Sequence, residues 1–314
     1  EHRPWIAYRQ FCEHFAVPLA LMHYLQEPLQ PMMAAYPDGI PVTLAGKMLP
    51  WRSRFQVHVY LHILLHGKMA ARAHMQPGRT QTFSRAKWEN LLRSLDVMIR
   101  SFSFGRQTGV WSDYYHEAGT RDGYLERKKE IVAGWIGRHA FRTAIDAGAN
   151  EGVFTMLLAE KNVSTISSDL DHYSVNRLYA SLKEQHTQNV VPLVMDLSHP
   201  SPAIGVNNEE RSSFLSRAHA DVALSLALIH HLCIGRNIPF AGVAAMFRQM
   251  APHLIIEFVP KQDEKVVQML QQKPDVYEWY TDENFLAAFE QHFTVQEQQP
   301  VAGSGRTLYL MQAR

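Results

Sequence analysis

The sequence predicts an α/β fold, a largely parallel sheet with helices on both faces, behind a mainly helical N-terminal region. Three observations predict it. From about residue 141, short apolar segments alternate with helical stretches, the pattern of βαβ units. The chain finishes with two strand-like segments around Ala302-Gly303-Ser304-Gly305, a hairpin signal that implies an antiparallel last strand. Before residue 100, apolar residues recur at helical spacing between Pro- and Gly-containing breaks.

Trp5, Tyr8, Phe11, Phe15 and Leu19 share one helical face, and Pro18 is expected to interrupt that run. Tyr36-Pro37-Asp38-Gly39 is a turn signal. A second helix is expected over residues 55–73, ahead of the break at Gln76-Pro77-Gly78. A third is expected over 84–100, with Trp88, Leu91, Leu92, Leu95, Val97 and Met98 on its apolar side. Ser84 starts it as half a capping box, because Lys87 stands where an acid or amide is wanted. His58, His62 and His66 fall at i, i+4 and i+8, a spacing that suits a metal. No paired carboxylate or cysteine accompanies them, so they read as a polar stripe and no metal is expected.

Residues 101–109 (SFSFGRQTG) read as a linker, which divides the chain into a helical region, 1–105, and an α/β domain, 106–314. In the second part a helix is expected over 124–136. Strands are expected over 141–147, 164–168, 190–195, 221–226, 254–258, 293–298 and 307–311. Helices over 153–161, 174–186 and 239–250 separate most of them.

The 314 residues suit one large or two modest domains, and 46% hydrophobic with 19% charged residues is ordinary for a well-cored globular chain. No apolar run approaches the ~20 residues that span a bilayer, and residues 1–10 lack a signal-peptide core. Cys12 and Cys233 match no zinc spacing and read as reduced thiols of a cytoplasmic protein. The net charge of +1 is uneven: residues 1–142 hold 19 Lys and Arg against 11 Asp and Glu, and residues 143–314 hold 12 against 19. The asymmetry suits either an anionic partner such as nucleic acid or two halves that neutralise each other. No block of consecutive basic residues favours the first.

The most informative segment is Ala144-Ile145-Asp146-Ala147-Gly148-Ala149-Asn150-Glu151-Gly152-Val153-Phe154, an apolar strand, a glycine turn and a helix start. Gly148 and Gly152 let backbone approach a ligand, and the helix start presents free N–H groups. The triple glycine of a dinucleotide site is missing, with Asn150 and Val153 in its second and third places. The Gly-Lys-Ser/Thr of a P-loop is missing too. A small zwitterion without phosphates fits better.

This D-x-G-x-N-x-G resembles motif I of the class I S-adenosylmethionine-dependent methyltransferases. The resemblance implies a Rossmann-like seven-stranded sheet and the cofactor S-adenosylmethionine, with S-adenosylhomocysteine as product. Asp146 would help hold the methionyl ammonium, Gly148 would pass beneath the cofactor, and Asn150 and Gly152 would complete the turn. Asp169 ends the next strand, where a carboxylate can accept hydrogen bonds from two ribose hydroxyls. It matches the family's motif II position, with Leu170 following and Asp171 as a neighbouring alternative. Asp196 ends the third strand; in similar proteins that acid receives the adenine amino group, with Leu197 beside the ring. Three acids at consecutive strand ends agree with ligand binding at the carboxyl edge of an open sheet.

The fourth strand and its sequel, Asp221 to Leu232, resemble the motif IV region, which places Ser225 near the cofactor. Either His230 or His231 could be a general base, or could pack the following helix. No Asp/Asn-Pro-Pro-Tyr/Phe follows this strand, and Cys233 lies in no Pro-Cys turn, which disfavours the nucleic-acid amino- and C5-methylating types. Glu257, in an apolar fifth strand, needs a partner or a cavity; orienting or deprotonating the acceptor and buried pairing are both open. Lys261 and Asp263 read as solvated. Trp111-Ser112-Asp113-Tyr114-Tyr115 resembles an aromatic lid over the cofactor, implicating Tyr115 or Tyr124; core packing is the other reading.

The wider resemblance runs from Trp5 through Ile229-His230-His231-Leu232 to Leu310 and covers most of the chain. It resembles bacterial predicted methyltransferases related to rhizobial nodulation host-specificity proteins. The helical region is the expected acceptor-side cap, with residues 198–217 adding to it; Arg211 and Arg217 there read as solvated. The expected reaction is methylation of a small molecule at oxygen or nitrogen, with no membrane partner and a homo-oligomer possible. An RNA or protein acceptor docked on the basic half, or a non-catalytic S-adenosylmethionine-binding module, are the alternatives.

Overall fold

The computed structural model describes residues 5–73, 83–105 and 123–314, so the Gln76-Pro77-Gly78 break and the Trp111–Tyr115 segment lie outside the described residues. The chain forms two compact units, Glu1–Gln107 and Thr108–Arg314.

The first unit is helical. Its longer helices are Val17–Leu25, Val42–Met48, His66–Ala73 and Arg85–Arg100, with π-helical turns at Cys12–Ala16 and Tyr60–Leu65. Pro18 does not break the first run, contrary to the sequence expectation. The π-helical turn precedes it, and the Glu13 carbonyl, which Pro18 has no N–H to reach, accepts from the Ile40 backbone N–H at 2.9 Å. Ser84 caps the last helix by accepting from the Lys87 N–H at 3.3 Å. Cys12, Ala16, Leu21, Ile40, Val59, Ile63, Leu95 and Met98 form the core of this unit.

The second unit has seven strands: β1 Thr143–Ala147, β2 Ser164–Asp169, β3 Val190–Val194, β4 Val222–Ser225, β5 His253–Phe258, β6 Phe293–Pro300 and β7 Thr307–Ala313. Their order is β3-β2-β1-β4-β5-β7-β6. The first five run parallel, while β7 is antiparallel to both β5 and β6, as the terminal hairpin signal predicts.

Period-two alternation sends neighbouring strand residues to opposite layers. Ile145, Ala147, Ala223, Leu254 and Ile256 pack with Phe240, Val243 and Phe247 of helix Phe240–Met250 and Phe285 of helix Asp282–Phe289. Ala144, Val222, Leu224 and Ile255 pack with Val132 and Trp135 of helix Tyr124–Arg138 and Phe154 and Leu158 of helix Val153–Glu160. Both faces are covered, which is why these strands read as continuous apolar runs. The architecture is the one expected, and it leaves the carboxyl ends of β1 to β5 along one edge. Cys12 and Cys233 are both buried free thiols.

Candidate functional site

A cavity of about 640 Å³ opens at that edge. Asp146, Asp169 and Asp196 all line it, together with Gly148, Asn150, Leu170 and Leu197. The size is within the range of about 300–1,000 Å³ usual for small-molecule sites.

Asp146 is 2% exposed and accepts from Thr155 Oγ1 at 2.6 Å. Burial pushes its carboxyl up to about 6, against the Thr155 hydrogen bond, with the Asp169 charge adding and that of Lys128 subtracting. A carboxylate so desolvated at a cavity wall favours a cationic ligand group. Gly148 follows at φ +73°, where a Cβ would stand 3.0 Å from Leu228 Cδ1. Asn150 is also left-handed, at φ 51°, and its N–H donates to Asp169 Oδ2 at 2.7 Å. The Asp171 N–H donates to Asp169 Oδ1 at 2.8 Å. Both oxygens keep lone pairs for further donors. Burial raises the Asp169 carboxyl above its ordinary value, although these N–H groups oppose it. Asp171 caps the next helix through the Tyr173 N–H instead.

Asp196 sits at the rim. Burial pushes it up, but hydrogen bonds from Ser198 and the charge of Arg236 hold it below the usual range. Ser198 donates from its N–H at 2.8 Å, and Arg236 lies 3.4 Å away. Gly152 is the helix N-cap at φ 84° and packs on Leu178 rather than lining the cavity. Ser225 is buried and does not line it either.

Beyond β4, Ala227 turns the chain at φ 51°, and Leu226, Ala227, Leu228, His231 and Leu232 line the cavity. His231 is on that wall; His230, 1% exposed, is not. Burial, then the charges of Arg306 and Lys265, lowers His231 to about 4. Burial and the charge of His231 hold His230 well below its ordinary value.

Glu257 is fully buried and absent from the cavity wall. Its carboxylate accepts from Lys128 Nζ at 2.6 Å, Tyr124 OH at 2.5 Å and the Ala227 N–H at 2.7 Å. Burial alone would raise it; Lys128 and Arg306 hold it below its ordinary value. Arg306 in turn donates to Tyr124 OH at 3.0 Å and to both oxygens of Asp263, at 2.8 and 3.0 Å. The network ties helix Tyr124–Arg138, the turn after β4, β5, the start of β7 and the cap of helix Glu264–Leu270 into one frame, on which Tyr124 and Lys128 reach the cavity. The expectation that Lys261 and Asp263 are solvated is corrected: Lys261 pairs with Asp275 at 2.8 Å, and Asp263 is locked by Arg306. Arg211 and Arg217 are exposed and away from the cavity. Tyr115 lies outside the described residues.

The sequence reading missed Lys128, Arg306, Arg236 and the helix after β5. The signal for Lys128 was its place at i+4 from Tyr124 and i−4 from Val132, on the apolar face of an amphipathic helix.

Sheet order, antiparallel β7 and strand-end acids together define the class I methyltransferase fold. The chain is also a relative of the nodulation protein NoeA of Rhizobium meliloti strain 1021, being 33% identical to it over 313 residues. That alignment takes in 97% of this chain and 66% of the relative's length. No family model matches the chain. Among solved structures it is similar to the N-methyltransferase NodS of Bradyrhizobium japonicum WM9, with 12% identity, 61% of this chain and 97% of the other covered, and a TM-score of 0.45. It is similar also to magnesium protoporphyrin IX methyltransferase of Synechocystis PCC 6803, with 15% identity, 71% and 95% covered, and a TM-score of 0.44.

Proposed function

We propose that this chain transfers a methyl group from S-adenosylmethionine to an oxygen or nitrogen of a small-molecule acceptor. One observation carries the reading: Asp146, Asp169 and Asp196, from three successive strand ends, line one cavity above a glycine that leaves it open. Asp169 suits the ribose hydroxyls, Asp196 the adenine amino group and Asp146 the methionyl ammonium, while Lys128 Nζ supplies charge for the methionyl carboxylate. S-adenosylmethionine would supply a methyl carbon that the acceptor lone pair attacks, while the carbon–sulfur electron pair leaves to sulfur. What the protein adds is alignment and desolvation.

Of the three candidates for catalysis, His231 alone lines the cavity; burial keeps it neutral at pH 7 and, at about 4, also makes it a weak acceptor for a hydroxyl or amine proton. Glu257 acts as a positioning residue that holds the Ala227 turn. Calorimetry with S-adenosylmethionine, S-adenosylhomocysteine and NAD, followed by a labelled-methyl screen of cell extract, tests the reading; binding of NAD alone would overturn it.

A second reading, an RNA acceptor, draws support from Trp51 and Phe55, 70% and 75% exposed, interleaved with exposed Arg52 and Arg54. RNA affinity that falls steeply with salt would favour it.

A further inference from the structure

We infer that Arg236 is a specificity-determining residue: its guanidinium donates to a ring nitrogen beside the adenine 6-amino group, so that Asp196 and Arg236 read the base together. This rests on the methyltransferase reading and adds to it a residue that recognises the base.

The two oxygens of Asp196 differ. Oδ1 accepts from the Ser198 N–H at 2.8 Å and from the Ser198 hydroxyl at 2.5 Å, which fills both of its lone pairs. The exposed His199 ring stands 3.0 Å from Ser198 Oγ and 3.5 Å from Oδ2, so it belongs with Ser198. Oδ2 is left with Arg236 Nη2 at 3.4 Å, a long contact that keeps room for a second donor. A ligand amino group that donates to Oδ2 therefore lies beside the guanidinium.

Arg236 and Asp196 both line the cavity. Among the described residues the guanidinium pairs with Asp196, which takes one of its N–H groups and leaves others for a ligand. The backbone beneath it is pinned on both flanks. On one side the Ile234 carbonyl accepts from Lys273 Nζ. On the other, Asn237, left-handed at φ 57°, accepts on Oδ1 from the Tyr277 hydroxyl, which itself accepts from Lys273 Nζ at 2.6 Å. The Ile238 N–H then closes the turn on the Leu232 carbonyl at 3.1 Å. Only the side chain, 45% exposed, has to be ordered by what it binds.

Adenine carries a donor amino group flanked by acceptor nitrogens, N1 and N7. A donor beside an acceptor is the complement of a carboxylate beside a guanidinium. A 6-keto purine turns an acceptor toward Oδ2 and loses that half of the match.

The test uses the full chain as wild type and Arg236→Ala. Each is titrated calorimetrically with S-adenosylhomocysteine and with its 1-deaza and 7-deaza analogues, in which a C–H replaces N1 or N7. We expect one of the two analogues to bind wild type about tenfold more weakly than S-adenosylhomocysteine, for one lost charge-assisted hydrogen bond. Arg236→Ala should itself bind S-adenosylhomocysteine about tenfold more weakly than wild type does. In that variant the same analogue should come within about twofold of S-adenosylhomocysteine, because its partner is already gone. A residue that merely shaped the rim would weaken all three ligands alike and leave the analogue's penalty in place. That result overturns the proposal, as does a wild type that binds both analogues as tightly as S-adenosylhomocysteine; either leaves the cofactor site standing. Failure of wild type to bind S-adenosylhomocysteine overturns the reading beneath it.

Discussion

The helical unit and the α/β unit both bury polar side chains, with different chemistry. In the helical unit, apart from the buried Glu13 that pairs with exposed Arg9 at 3.1 Å, the side-chain network is neutral and half-buried around His62. Tyr8 OH lies 2.6 Å from His62 Nδ1, His62 Nε2 lies 2.7 Å from Ser94 Oγ, and Ser94 Oγ lies 2.8 Å from His58 Nδ1. Tyr8 also stacks on His66. His58 and His62 are thus spent on internal hydrogen bonds, and among the described residues no cluster that could hold a metal ion occurs. In the α/β unit a buried network is built of ions, Lys128, Glu257, Asp263 and Arg306, and through Lys128 it reaches the cavity wall. A closed neutral network specifies packing; a charged one beside an opening also shapes what can enter.

The comparison predicts that the charged network is the more costly to break. Lys128→Met leaves Glu257 buried without its ammonium, a loss of about 3–5 kcal/mol. Thermal melting should show the transition of the α/β unit lowered by roughly 10 °C. A drop of a degree or less would place Lys128 in solvent. Gly148→Ala is expected to act on the cavity instead. The positive φ and the approach to Leu228 strain the turn, and S-adenosylhomocysteine affinity should fall by about tenfold. Unaltered affinity would mean that nothing passes close to this backbone. Ser94→Ala removes the shared partner of His58 and His62 and should cost about 1–3 kcal/mol, read as an earlier melt of the helical unit with cofactor binding intact.

The smallest effect is on pH dependence. Burial first, then the charges of His58 and His66, lowers His62 from 6.5 to about 4. The unfolded chain therefore binds the extra proton between these values, so stability from this group is complete above pH 6.5 and is lost as the pH falls toward 4. Denaturant melts of wild type and His62→Asn, compared at pH 7 and 5, should show the wild type losing more. Equal losses would remove His62 as the source.

The strands and the three acids were legible because their signals are local: a strand end, a glycine, an acid at a set spacing. Asp146, Asp169 and Asp196 needed only the parallel sheet to bring them together. Lys128 was hidden in the run Arg127-Lys128-Lys129, which reads as a solvated charge cluster until the helix is rotated onto its partners. Arg306 looked like part of a surface turn after Gly303-Ser304-Gly305, and its partners Asp263 and Tyr124 are 43 and 182 residues away in sequence. Glu257 showed in sequence that a partner was needed but not which one. Pro18 misled because the compensation, the Ile40 N–H, comes from another segment. Pairings between distant residues leave no periodicity, and those were the features the pattern could not carry.

The most direct trial of the account is a calorimetric titration of S-adenosylhomocysteine into wild type and Asp169→Ala. The account predicts one site in the wild type and an affinity lower by about tenfold or more in the variant, from two lost ribose hydrogen bonds. Wild type that takes up no S-adenosylhomocysteine, or a variant that binds it equally well, would contradict it.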